Sequence, residues 1–250
     1  MNTDTLSAYA CPSCGNMLSQ SDQRVTCTAC TSTWPVEDGM PHFIVDDLST
    51  TVNRDPDVES FFSLAGTLHW RDALARVYKD TKPMRYERIV YDKGADWMAL
   101  LPLDTTARVL DAGCGWGTIT FQLAKSCAEV HAIDASVNAV RFVQLRARQD
   151  SVKNVYPVRG DILHLPFADN SFDLVVLNGV LEWAGTADTS RNPARVQAQL
   201  LSEVHRVLKP QGTVYVGIEN RYAATYFLGQ DEGHVKLKFI SLMPRPVAAL

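Results

Sequence analysis

From residue 107 to 218, short apolar runs alternate with longer stretches whose apolar residues recur every three to four positions. The runs at 107–111, 129–133, 155–159, 172–177 and 213–218 have the length of buried strands, and the stretches at 117–126, 136–149 and 194–207 read as amphipathic helices. This alternation predicts an α/β architecture, a doubly wound and mostly parallel sheet with helices on both faces. Ahead of it, Val58–Tyr78 and Met84–Leu101 read as two further helices, separated by Pro83 and ended by Pro102. Phe61, Phe62, Trp70 and Tyr86 lie in them, as helix core or as the lining of a substrate pocket. The segment 46–57 (DDLSTTVNRDPD) is polar, acidic and without periodicity, which marks a linker.

The first 45 residues are too polar to form a core of their own without a staple. Cys11 and Cys14, then Cys27 and Cys30, make two C-x2-C turns separated by twelve residues. Two such turns supply the four sulfurs of a tetrahedral zinc site, structural because no position is left open. Two disulfides or four idle thiols are the alternatives. The start MNTDTLSAYA has neither a basic nor an apolar stretch, so no secretion signal is visible and the expected compartment is cytoplasmic. Stripping the metal is expected to unfold this segment and leave cofactor binding largely intact, because the segment would have its own small core. His42 lies nearby and reads as an ordinary strand-end histidine.

The densest information sits in VLDAGCGWG (109–117). An apolar run ends in Asp111, Gly113, Gly115 and Gly117 follow at every second position, and a helical pattern opens at Thr118. A turn built this way brings backbone close to a nucleotide at a helix N-terminus. A dinucleotide fingerprint would need glycine at Thr118, and a pyrophosphate disfavours a carboxylate such as Asp111 at the loop mouth. S-adenosylmethionine carries an ammonium and a sulfonium and tolerates that acid. Asp134, 23 residues on, ends the next strand next to Ala135, placed for ribose hydroxyls. Asp161, beside Ile162, ends the third and is placed for an adenine amino group. Asn178 sits just past the fourth. These positions converge on the carboxyl rim of the sheet, where open α/β sheets bind ligands.

The segments VLDAGCGWG, AIDAS, GDILHLPFADNSFDLVVLNGVLEW and VHRVLKPQGTVYV resemble, in that order, the class I S-adenosylmethionine-dependent methyltransferases, in particular the type 11 group. The segment from CPSCG to MPHFI resembles the zinc ribbons related to the activator subunit of eukaryotic tRNA and protein methyltransferases. The resemblance implies a ribbon over 1–45, the linker, a helical cap region over 58–104 and a cofactor-binding domain over 105–250, with S-adenosylmethionine and zinc as the bound groups. In similar enzymes the end of the fourth strand faces the methyl group. Glu182 and Asn178 are the catalytic candidates there, although Trp183 stands where a histidine base often follows. Glu219, Asn220 and Arg221 follow the fifth strand as candidate substrate contacts. His164, His205 and Cys114 read as structural.

Net charge is −4, with nine acids against two bases in residues 1–60 and 19 against 22 in the remainder. No concentrated basic footprint stands out, which argues against an RNA acceptor and favours a small molecule or glycan. An RNA methyltransferase whose ribbon presents the substrate, and a module that binds cofactor only to interact, are the competing readings. No apolar run approaches membrane-spanning length. After Val216, only 235–242 offers a further strand before Pro244 and Pro246. The fifth strand is therefore expected to leave an apolar edge covered by more of a longer polypeptide, by a second copy or by a protein partner.

Overall fold

The computed structural model describes residues 7–44, 55–91, 94–101, 103–184, 192–218, 220, 222–230, 238–239 and 242–243. Most of the linker, Pro102, Glu219, Arg221, Pro244 and Pro246 lie outside them. The chain divides into two compact units, Met1–Val216 and Gly217–Leu250.

The first unit begins with an antiparallel sheet in the order β1 (Leu18–Gln20), β2 (Arg24–Cys27), β3 (Thr33–Glu37) and β4 (Met40–Pro41). Three short helices follow: α1 (Val58–Ala65), α2 (Trp70–Tyr78) and α3 (Pro83–Val90). The single helix expected over Val58–Tyr78 is therefore two. Gly66 and Thr67 turn back onto Leu64, and His69 takes an extended backbone whose imidazole caps α2 at Arg71 N. The helix expected over Met84–Leu101 also breaks. Gly94 adopts φ +98°, and only a 3₁₀ turn, Asp96–Leu100, continues.

The remaining elements follow the alternation expected of them. They are β5 (Arg108–Ala112), α4 (Thr118–Leu123), β6 (Glu129–Asp134), α5 (Val137–Gln149), β7 (Val155–Arg159), β8 (Phe172–Asn178), α6 (Pro193–Val207) and β9 (Leu208–Gly217). β9 starts five residues before the expected strand, directly after α6. Ser136 caps α5 by accepting from Ala139 N, and Asn192 caps α6 by accepting from Ala194 N with Pro193 in the first turn. The sheet order is β7-β6-β5-β8-β9, with β5–β6, β6–β7 and β5–β8 parallel. The winding reverses at β5, so the crevice opens between the carboxyl ends of β5 and β8.

Both faces of the sheet are covered. On one, Val109, Val130, Leu174 and Val176 pack with Ile119, Phe121, Leu123 and Val143 of α4 and α5. On the other, Leu110, Ile133, Val175 and Leu177 pack with Val196, Leu200 and Val204 of α6. That second layer also contains Tyr9, Cys11, Val25, Cys27, Trp34 and Phe43 of the cysteine-bearing segment. The expectation of a separate small core there is corrected by this shared layer. The backbone joins as well: Phe43 N donates to Arg159 O at 2.8 Å, and Ala168 N donates to Ala8 O at 2.9 Å. His42 is buried against β7 through a parallel bridge to Arg159.

Phe61 and Trp70 are fully buried with Tyr78 and Phe142, with Phe62 and Tyr86 packed against them, so all four aromatic residues named above belong to a helix core. Val214, Val216 and Ile218 are more than a third exposed, and among the described residues no strand pairs with the outer side of β9. In the second unit, α7 spans Ala224–Phe227. Of the possible strand at 235–242, Lys238 and Phe239 form a turn and Leu242 is not extended; the rest lies outside the described residues.

Candidate functional site

At the reversal point a cavity of about 500 Å³ is lined by Asp111, Gly113, Cys114, Gly115, Trp116, Thr118, Ile119, Asp134, Asn178, Gly179, Val180 and Trp183. Arg85, Arg88 and Ile89 of α3 close it from the helical side. A volume of this order suits a cofactor-sized ligand. The two central glycines act differently. Gly113 has φ +77° and lies so near Val180 that an added Cβ would sit 2.6 Å from a methyl carbon. Gly115 has φ +51°, and an added Cβ would meet nothing within 4 Å, so its side of the loop is open to a ligand.

Asp134 receives two backbone donors, Gly115 N at 2.9 Å on Oδ2 and Ser136 N at 2.8 Å on Oδ1. Each oxygen keeps a lone pair for a further donor. Burial raises its pKa. Asp111 is only 2% exposed and accepts from the Thr120 hydroxyl. Burial, with a contribution from the charge of Asp134, pushes Asp111 up to about 6 despite that hydrogen bond. It lies at the cavity floor rather than at the loop mouth where it was expected. Asn178 forms no side-chain hydrogen bond among the described residues.

The Asp111 shift has a measurable consequence. Between about pH 4 and the folded value of about 6, the folded protein retains a proton that the unfolded chain has released. Stability is fully present at the acid end of that window and falls as pH rises through it, by about 3 kcal/mol in all. Asp111→Asn still accepts from Thr120 and is expected to flatten this slope and to melt higher than wild type at neutral pH. Thermal melts of the ligand-free proteins across this window check it; parallel profiles would count against a raised Asp111.

The other expected site residues are placed elsewhere. Gly117 caps α4 with φ +72°, and its added Cβ would meet Phe121 and Val143 at 3.0 Å, so it serves packing rather than the cavity. Ala135, Asp161 and Ile162 do not line the cavity. Asp161 instead accepts from Leu163 N at 2.8 Å and pairs with His164 at 2.9 Å, while Ile162 packs against the α6 layer. Glu182 also lies outside the lining, with Oε2 buried and without a hydrogen-bond partner. Asn220 accepts from Tyr222 N at 3.0 Å within the second unit. His205 is exposed, and Cys114 is buried. The motif reading missed Arg85, Arg88 and Trp116. Trp116 stood inside the glycine loop, whereas the i, i+3 spacing of the two arginines on α3 was the only signal for them.

A second cluster lies in the first sheet. The sulfurs of Cys11, Cys14, Cys27 and Cys30 all fall within 4.8 Å of one another. Cys11 and Cys30 stand 3.6 Å apart and Cys14 and Cys27 3.5 Å, and all four are free thiols. Four thiolates about 2.3 Å from one zinc ion would stand at such separations. Ala29 N and Cys30 N donate to Cys27 Sγ at 3.4 Å, and Asn16 Nδ2 donates to Cys14 Sγ at 3.4 Å. Donors of this kind orient metal-ligating sulfurs from outside the metal's own ligand set.

A family model described as a methyltransferase domain matches residues 103–232. The chain belongs to that family. The chain is 40% identical over 118 residues to a demethylmenaquinone methyltransferase of Lactiplantibacillus plantarum, 45% of each chain. The chain is also 32% identical over 146 residues to a 2-phytyl-1,4-naphtoquinone methyltransferase of Nostoc sp., covering 56% of this chain and 58% of the other. Similarity to the biotin biosynthesis bifunctional protein BioHC of Cellvibrio japonicus reaches 35% over 68% of this chain, but only 28% of that one. The chain thus spans about half or less of the length of these curated relatives. Among solved structures, YcgJ from Bacillus subtilis is 26% identical over 47% of this chain and 46% of its own, with a TM-score of 0.41. Among the described residues no helix is long and apolar enough to cross a membrane.

Proposed function

We propose that this protein is an S-adenosylmethionine-dependent methyltransferase acting on a small-molecule acceptor, with a structural zinc ion held by Cys11, Cys14, Cys27 and Cys30. The observation that carries the reading is Asp134: a carboxylate held by two backbone N–H groups, with a lone pair to spare on each oxygen, beside a glycine that opens onto the cavity. The matching family and the quinone acceptors in the names of two relatives support the acceptor class. When bound, S-adenosylmethionine supplies a methyl carbon already activated by a sulfonium. The chain's task is to hold a nucleophile against that carbon and to keep water out. Asp134 binds ribose hydroxyls, Gly115 admits the nucleoside, Asp111 gives the floor a negative charge suited to a cation, and Asn178 orients a polar group at the end of β8.

Asp134→Ala removes the acceptor for the ribose and for the two loop N–H groups. Calorimetry with S-adenosylhomocysteine is expected to show a loss of about ten- to hundredfold in affinity. Unchanged affinity in a variant that melts normally would overturn the site. Incubation of a fractionated extract with methyl-labelled S-adenosylmethionine is expected to label the small-molecule fraction, and label confined to RNA would overturn the acceptor class.

A further inference from the structure

Four charged side chains line the cavity, and three of them are engaged within the protein. Asp111 is held by Thr120, and Asp134 by Gly115 N and Ser136 N. Arg85 is paired with Asp55 and lies 4.5 Å over the Trp116 ring. Arg88, one helical turn further along α3, is exposed and makes neither an ion pair nor a side-chain hydrogen bond among the described residues. A smaller recess of about 80 Å³ is shared by Asp134, Gly115, Trp116 and Arg85 but not by Arg88. Arg88 thus lines only the larger cavity, whose wall also includes Asn178, Gly179, Val180 and Trp183.

We infer that Arg88 recognises a carboxylate or phosphate on the methyl acceptor, whose apolar or aromatic body rests against Trp183. The inference rests on the methyltransferase reading and adds the charge class of the substrate. A guanidinium presents a planar fork of donors that matches such an anion with two parallel hydrogen bonds. The Asn178 amide, which makes no side-chain hydrogen bond among the described residues, lines the same cavity and adds a donor. Trp183, 46% exposed at the rim, offers an aromatic face to the rest of the molecule. The cofactor's own amino-acid carboxylate is the other possible source of an anion here, and the experiment separates the two.

The 250-residue protein, saturated with S-adenosylhomocysteine, is titrated by calorimetry with benzoate, phenyl phosphate and benzyl alcohol. Wild type is expected to bind at least one of the two anions about tenfold or more tightly than the neutral alcohol. Arg88→Met is expected to abolish that preference and to bind S-adenosylhomocysteine as wild type does, and Arg88→Lys to keep part of it. Equal or undetectable binding of all three probes to wild type overturns the inference, as does an anion preference that persists in Arg88→Met. A loss of S-adenosylhomocysteine affinity in Arg88→Met also overturns it, by assigning the residue to the cofactor carboxylate. Failure of wild type to bind S-adenosylhomocysteine is a different result and sinks the methyltransferase reading itself.

Discussion

Metal removal is expected to destabilise the sheet that carries the cofactor site, not only the first 44 residues. Purified protein should contain about one equivalent of zinc, and the double variant Cys11→Ser/Cys27→Ser almost none. Cys11 and Cys27 are buried in the same apolar layer as Leu110, Ile133 and Phe172. Tyr9 ties the layers together, with ring centroids 5.0 Å from Phe167 and 6.1 Å from Phe43 and its hydroxyl 3.2 Å from His131 Nδ1. Without the four sulfurs held at one point, β1–β4 have too little apolar surface of their own to stay ordered. Their loss uncovers β7 and the Phe167 region. A loss of about 3 kcal/mol or more is expected, roughly 6–12 °C in melting temperature for a unit of this size. Hydrogen exchange should show protection lost over 8–44 and also over 155–168. A stripped protein that melts as before, with β7 still protected, would show that the zinc assignment or the shared core is wrong.

The second large effect is expected at Gly113. Alanine there must adopt the left-handed conformation at about 1–2 kcal/mol and displace Val180 at about 1–3 kcal/mol more. Val180 lines the cavity two residues after Asn178, so its displacement is also expected to weaken cofactor binding. Adding Val180→Ala should return the steric part and leave the backbone part. Gly115→Ala is the informative contrast, because its Cβ would enter open space. It should lose only the backbone share of stability yet bind S-adenosylhomocysteine far more weakly. Melting curves and calorimetry on the three variants separate the roles, and a Gly113→Ala protein as stable as wild type would refute the packing argument.

The elements from 107 to 217 were legible in the amino-acid sequence because each is decided locally. A strand buried on both faces shows as a continuous apolar run, an amphipathic helix as a 3.6-residue period, and the loop as glycines at positions of positive φ. The spacing of Cys11, Cys14, Cys27 and Cys30 likewise announced four sulfurs at one point. The same local logic failed where a single glycine interrupts a long apolar pattern, at Gly66 and Gly94, since periodicity on either side hides the break. It brought Asp111, Asp134 and Asn178 to one cavity but did not decide which other polar groups share it. Asp161 occupies an expected position yet turns to Leu163 and His164, and Arg88, 90 residues from Asn178, lines the cavity that Asp161 does not. What tertiary structure alone decided is which distant segments meet: the cysteine-bearing sheet merging with the core across β7, α3 closing the cavity, and Asp111 sinking to its floor, where burial raises its pKa. Contacts between segments far apart in the chain arise from packing many faces together at once, and no short stretch of sequence encodes them.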